Sequence, residues 1–314
     1  MSASVLVLAG GLSAEREVSL RSGRGVVHAL LEAGLHAEVA DVGADVLEVV
    51  GRGHADVVWP VLHGAGGEDG TLAQVLELAR VPFVGSSSAA CRLAWDKSTA
   101  ATVVARAGVP VPDGVTVPHS LVRDLGAAQL LPLVGASVGL PAVVKPVHGG
   151  SSMGVVVVER SEDLPHAMVS ALGYDPECRV EAMVSGTEVA VTVVDDGTGP
   201  VAAPAVEIEP ESGAYDYGSR YTAGATLFHC PARLDDEVTA RLLEQAVGVH
   251  VALGLGHLSR SDWIVDAAGV PWFLEVNTAP GMTGTSLVPL ALEADGGAGA
   301  VYSRLVAAAQ RTSR

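Results

Sequence analysis

Residues 5–8 read Val-Leu-Val-Leu, Gly10-Gly11 follows them, and helical spacing begins a few residues later. A short, uninterrupted apolar run is a strand covered on both faces, which a parallel sheet layered with helices provides. The order then repeats. A helix is predicted over residues 15–32 through Val18, Val26, Val27, Leu30 and Leu31, with Gly34 as its stop. Strands follow at 38–42 and 57–62, an apolar helix at 72–79 and a strand near 82–84. This alternation predicts a Rossmann-like parallel-sheet unit over residues 1–95. Open parallel sheets leave a crevice beyond the carboxyl ends of their strands, where the His63 to Gly70 loop falls.

The texture changes after Lys97. A helix over 98–107, a strand over 142–146 ending in Lys145-Pro146, a glycine-serine loop and a strand over 155–158 make a hairpin flap. With a helix at 162–172, these elements define a second unit, residues 96–180. Strands predominate in the third, residues 181–314: 179–183 at its border, then 188–194 and 203–208. A polar, aromatic loop at 210–221 is too long for a simple turn and too polar for a core. A helix at 235–253, two strands around an Asp-Ala-Ala-Gly turn and helices at 287–293 and 298–309 complete it. The fold class is therefore mixed, α/β in the first unit and α+β beyond it.

The longest uncharged stretch, residues 125–144, is interrupted by Pro132, Gly135, Gly139 and Pro141. It reads as a loop, a turn and a short buried strand rather than a membrane span. Asp and Glu number 36 against 19 Lys and Arg, a formal net charge of -17. Generic binding to nucleic-acid backbones or anionic membranes needs the opposite sign. The first residues lack a basic leader, and Cys91, Cys178 and Cys230 form no CxxC pair. The expectation is a protein of the reducing cytoplasm, with neither membrane insertion nor a disulfide framework. Only two of the basic residues are lysine, Lys97 and Lys145.

Chemistry concentrates in two places. Arg260 and Asp262 lie two apart on one strand, and Glu275 and Asn277 two apart on the next, so each pair shares a face. Two carboxylates and an amide oxygen make an all-oxygen set suited to Mg²⁺ carrying substrate phosphates. The loop from His148 to Gly154 suits a phosphate cover. Its glycines admit an anion to backbone N–H groups, and Ser151 and Ser152 offer hydroxyls. It matches neither the P-loop nor the Rossmann pattern, and the spacing after Gly10-Gly11 argues against a nicotinamide dehydrogenase.

Seven motifs in order, across essentially the whole chain, resemble the D-alanine–D-alanine ligases of the ATP-grasp superfamily. They are GGLSAEREVS from Gly10, HGAGGEDG from His63, Asp96-Lys97, and Val144-Lys145-Pro146 with its GGSSMG loop. YDYGSRY from Tyr215, Arg260-Ser261-Asp262, and EVNTAPGMT from Glu275 with Ser286-Leu287 complete the series.

The resemblance implies an ATP-grasp fold with an N-terminal pre-ATP-grasp domain, enclosing ATP and two D-alanine molecules. Lys97 and Lys145 would contact nucleotide phosphates, beneath Ser151 and Ser152. Glu181 and the backbone near Met183 and Val184 would hold the adenine edge, with Glu188 on the ribose. Asp262, Glu275 and Asn277 would bind two Mg²⁺ ions, for which Mn²⁺ can substitute, and a monovalent cation such as K⁺ is a further candidate cofactor whose requirement the sequence leaves open. Glu15 would take the first D-alanine's ammonium, hydrogen-bonded with Ser151 and Tyr221, and His63 would sit nearby. Arg260 and the Gly281 amide would stabilise the oxyanion. Ser286 and Leu287 would receive the second substrate's carboxylate. The 210–221 loop would close as a lid, and the protein would be a homodimer.

Three positions depart from the family pattern. Arg220 replaces a lysine of the lid, Ala182 a lysine after Glu181, and Ala279 a serine. None removes a metal ligand. A relative making D-Ala–D-Ser or D-Ala–D-lactate is the nearest alternative, and Tyr221 favours an amine nucleophile. A silent nucleotide-binding protein is disfavoured by the complete acidic set.

Overall fold

The computed structural model describes residues 3–52, 55–211 and 224–312. Its first sheet is parallel. β1 (Ser4–Gly10) lies between β2 (His36–Val42) and β3 (Val57–Pro60), with the helix Arg16–Glu32 crossing from β1 to β2. Burial along β1 is nearly complete, as its unbroken apolar run requires. The strand expected near residue 83 amounts to one parallel bridge, Val58 to Phe83.

A second, antiparallel sheet contains β4 (Gly114–Pro118), β5 (Ala142–Pro146), β6 (Val156–Val158) and β7 (Glu177–Ala182), in the order β4-β7-β5-β6. β5 and β6 form the expected hairpin around the glycine-serine loop. The uncharged stretch departs from expectation, because residues Ala127–Val138 are helical with Pro132 inside the helix. Its Leu130, Leu131, Val134 and Val138 pack on the sheet beside Val117 and Val144. Apolar burial there outweighs the roughly 3 kcal/mol an interior proline costs. None of the helices among the described residues is long and apolar enough to cross a membrane.

The third sheet contains β8 (Gly186–Val194), β9 (Val201–Ala202), β10 (Val206–Pro210), β11 (Thr226–His229), β12 (Leu258–Asp266) and β13 (Pro271–Asn277). Its path is β11-β10-β8-β12-β13, with β9 on β8. The helices Ser88–Trp95, Lys97–Arg106 and Asp236–Ala252 share its core with Trp263 and Phe273. Lys97 is thereby carried toward β13. The helices Leu287–Ala294 and Ala298–Thr312 return to the first sheet, where Tyr302 meets Trp59 edge-on at 5.0 Å.

Candidate active site

The acidic set arises from strand pairing. Asp262 lies opposite Glu275 and Arg260 opposite Asn277 across β12 and β13. A bulge between Asp262 and Trp263 then leaves Leu274 as an extra residue on β13. Strict alternation would put residue 273 on the site face. The bulge instead sends Phe273 to the core and Leu274, with Ile264, to the cavity wall. Trp263 and Val276, each next in sequence to a polar residue of the set, lie in the core. Arg260 donates to both oxygens of Asp262 at 2.7 and 2.8 Å, and the Asn277 amide lies 3.4 Å from the same carboxylate.

One cavity is lined by Lys97, Lys145, Ser152, Glu181, Val184, Glu188, Asp262 and Glu275. Asp96 caps the helix below Lys97 by accepting from Ser98 and Thr99, and this aims the lysine inward. The Lys97 ammonium donates to the Gly149 carbonyl at 2.5 Å and lies 3.7 Å from Glu275. Lys145 pairs with Glu181 at 2.5 Å, and Arg179 holds the other oxygen of Glu181 at 2.9 Å. Both lysines are nearly buried. Met183 is not among the lining residues, and its N–H donates to Pro141.

A second cavity, of about 760 Å³, is lined by Glu15, His63, Ser151, Arg260, Asn277, Gly281, Ser286 and Leu287. The Ser151 hydroxyl donates to the Glu15 carboxylate. Ser151 and Ser152 both have φ near 54°, a conformation that costs an L-residue roughly 1–2 kcal/mol. Ser151 faces this cavity and Ser152 the first. A Cβ on Gly281 would meet the Ser286 hydroxyl at 2.8 Å, so glycine is needed for that close approach. Ser286 Oγ accepts the Thr283 N–H at 3.0 Å and precedes the helix Leu287–Ala294.

His63 is fixed at both ring nitrogens. Nδ1–H donates to the Ala279 carbonyl at 2.8 Å, so Nε2 accepts the Ser22 hydroxyl at 2.9 Å. Ser22 in turn accepts the Met282 N–H at 3.1 Å. Burial lowers the imidazole pKa and keeps the ring neutral. Ser22 carries no local sequence signal, because its partners meet it only in the fold. Glu68 also lines this cavity, and burial pushes its carboxyl up to about 8. It stood in the HGAGGEDG motif without an assigned role. Arg220 and Tyr221, and most of the expected lid, lie outside the described residues.

Gly150 and Glu275 line both cavities, so the two meet there. Away from them, Glu207, Glu209 and His229 place ligand atoms within 4.8 Å of one another, a spacing compatible with a divalent cation. Arg233 already pairs with both of those carboxylates, at 2.6 and 2.8 Å. Arg260 and Lys97 likewise pair with Asp262 and Glu275, but these two carboxylates and the Asn277 amide line the two cavities and form the all-oxygen set that a hard divalent ion prefers.

Comparison with known proteins gives a consistent picture. The family described as D-ala D-ala ligase C-terminus matches residues 103–308, and D-ala D-ala ligase N-terminus matches residues 36–86. The D-alanine--D-alanine ligase of Geobacter sulfurreducens is 42% identical over 291 residues, covering 92% of this chain and 88% of its own length. The corresponding Bordetella petrii protein is 40% identical over 290 residues, covering 92% and 86%. Among solved structures, the VanG D-Ala:D-Ser ligase from Enterococcus faecalis superposes with a TM-score of 0.83 at 29% identity, covering 98% of this chain and 100% of its own.

Proposed function

The chain belongs to the D-alanine–D-alanine ligase family, and we propose that it joins two D-alanine molecules into D-alanyl-D-alanine for peptidoglycan precursors, converting ATP to ADP and phosphate. Its fold is the ATP-grasp architecture with a parallel N-terminal sheet. The observation that carries the reading is the junction of the two cavities at Gly150 and Glu275. A phosphoryl group delivered from one side there meets a carboxylate held on the other.

A carboxylate is a poor electrophile and must be activated before an amine attacks it. In this reading Glu15 holds the first D-alanine's ammonium, and one oxygen of its carboxylate attacks the γ-phosphorus. The bond to the β-phosphate oxygen breaks, leaving an acyl phosphate and ADP. Lys97 and Lys145 neutralise phosphate charge during the transfer. Asp262, Glu275 and Asn277 would hold Mg²⁺, or Mn²⁺, which supplies further charge neutralisation when bound. Ser286 and Leu287 receive the second D-alanine's carboxylate, and its free amine attacks the acyl carbon. Arg260 and the Gly281 N–H stabilise the oxyanion, and phosphate leaves as the peptide bond forms. His63, fixed and neutral, positions this wall rather than exchanging protons. Glu181, Val184 and Glu188 form the nucleoside end.

The units 1–95, 96–180 and 181–314 supply the first-substrate wall, the phosphate cover and the metal set in turn. The same reading makes the protein a cytoplasmic homodimer. Incubation with ATP, Mg²⁺ and D-alanine should give dipeptide and ADP in equal amounts. No D-alanine-dependent ADP release would sink the assignment, and preferential use of D-serine or D-lactate in competition would change the product.

A further inference from the structure

His148 opens the phosphate-covering loop, and none of the roles above uses it. Its backbone N–H and its ring Nδ1 both address one oxygen of Asp175, at 3.3 and 2.9 Å. The other Asp175 oxygen accepts the Glu177 N–H at 2.8 Å, so this buried carboxylate is held from both sides. A carboxylate accepts, so Nδ1 carries a proton. Nε2 is then the nitrogen left for a ligand. The Trp95 ring lies beside the imidazole, 6.3 Å between centroids and tilted by 30°.

His148 lines the first cavity, the one read as the nucleotide site. It precedes Gly149, whose carbonyl accepts from Lys97, so it shares the lysine end of the cavity. A phosphate arriving at Nε2 shares a proton with that nitrogen, which makes the contact charge-assisted, and the Asp175 carboxylate on the far side of the ring balances the charge. A purely structural link would need only the backbone contact to Asp175. The ring, held by Asp175 and flanked by the Trp95 indole at the cavity wall, adds a donor.

We propose that His148 is a further phosphate-binding residue for the nucleotide and that Asp175 is its positioning residue. The proposal rests on the nucleotide reading of the first cavity, and deepens it with a contact supplied by this chain's own loop.

Calorimetry on the full chain tests it with Mg²⁺·ADP and with adenosine. His148→Ala should weaken ADP about tenfold, the range of one charge-assisted hydrogen bond, and leave adenosine binding unchanged. His148→Arg, which restores a cation, should recover ADP affinity to within about threefold. Asp175→Asn should weaken ADP less, and adding it to His148→Ala should cause little further loss, since both act through one ring. Unchanged ADP affinity in His148→Ala would overturn the proposal. So would equal losses for ADP and adenosine, which would make the pair a loop anchor only. Absence of ADP binding to the wild-type protein would bring down the nucleotide reading with it, whereas the mutant outcomes decide the proposal alone.

Discussion

The Lys97 ammonium lies 3.7 Å from the Glu275 carboxylate, tying the first turn of one helix to a strand of the third sheet. Charge of both signs is thus poised where the two cavities meet. Nucleotide binding has to divide this pair between phosphate and metal. The protein holds Lys145 and Glu181 in a similar arrangement, 2.5 Å apart and buried.

Lysine is therefore expected to be required at both positions. In Lys145→Arg a second guanidinium would crowd Glu181 beside Arg179, which already holds it at 2.9 Å. In Lys97→Arg the planar fork would have to fit where one compact ammonium reaches Gly149. Steady-state kinetics should show kcat/KM for ATP reduced by about tenfold or more in each variant. Wild-type activity in the double variant would refute this.

Glu275→Ala should remove metal-dependent turnover, by at least about a hundredfold in kcat, because no other carboxylate among the described residues faces both cavities. The residue is partly exposed, with 23% of its side chain accessible, so folding should survive. Circular dichroism and a thermal melt close to wild type, with ADP release lost, are the expected pair of results. Near-normal activity would mean that the ions bind elsewhere.

Much of this site was legible because period-two spacing is a local property. Arg260 with Asp262, and Glu275 with Asn277, announce a shared face before any pairing is known. The bulge opposite Asp262 is not local, and so the exchange of Phe273 and Leu274 between core and cavity could not be read. Nor could the helix around Pro132, where packing on the second sheet overrides a local breaker. Resemblance, rather than spacing, placed Glu15, His63 and Ser286. The Ser22–His63–Ala279 chain joins segments far apart in sequence, and only the fold brings them together.

That chain makes Ser22 a testable support. It is fully buried, donates to His63 and accepts from Met282. Ser22→Ala leaves an imidazole nitrogen and a backbone N–H without partners, which should cost about 1–3 kcal/mol of stability. With His63 loosened, KM for the first D-alanine should rise several-fold while KM for ATP changes little. Denaturant unfolding and kinetics at fixed second-substrate saturation would separate the two effects. Equal changes in both KM values would mean that Ser22 supports the fold alone.

His250 predicts how the third sheet responds to acid. It is buried on the helix Asp236–Ala252, and its Nδ1 pairs with Ser259 at 2.8 Å. Its Nε2 has no partner among the described residues, and burial lowers its pKa from 6.5 to about 4. The folded state therefore favours the neutral ring. This contribution is complete above the unfolded value of 6.5 and is lost as pH falls toward and through 4. Between those limits the unfolded chain binds the extra proton, so the wild-type protein should lose about 3 kcal/mol from this group. His250→Gln keeps a polar partner for Ser259 but cannot titrate. It should be less stable at pH 7 yet lose correspondingly less between pH 6.5 and 4, measured by urea unfolding across that range. Parallel pH profiles for the two proteins would show that His250 does not govern the acid limb.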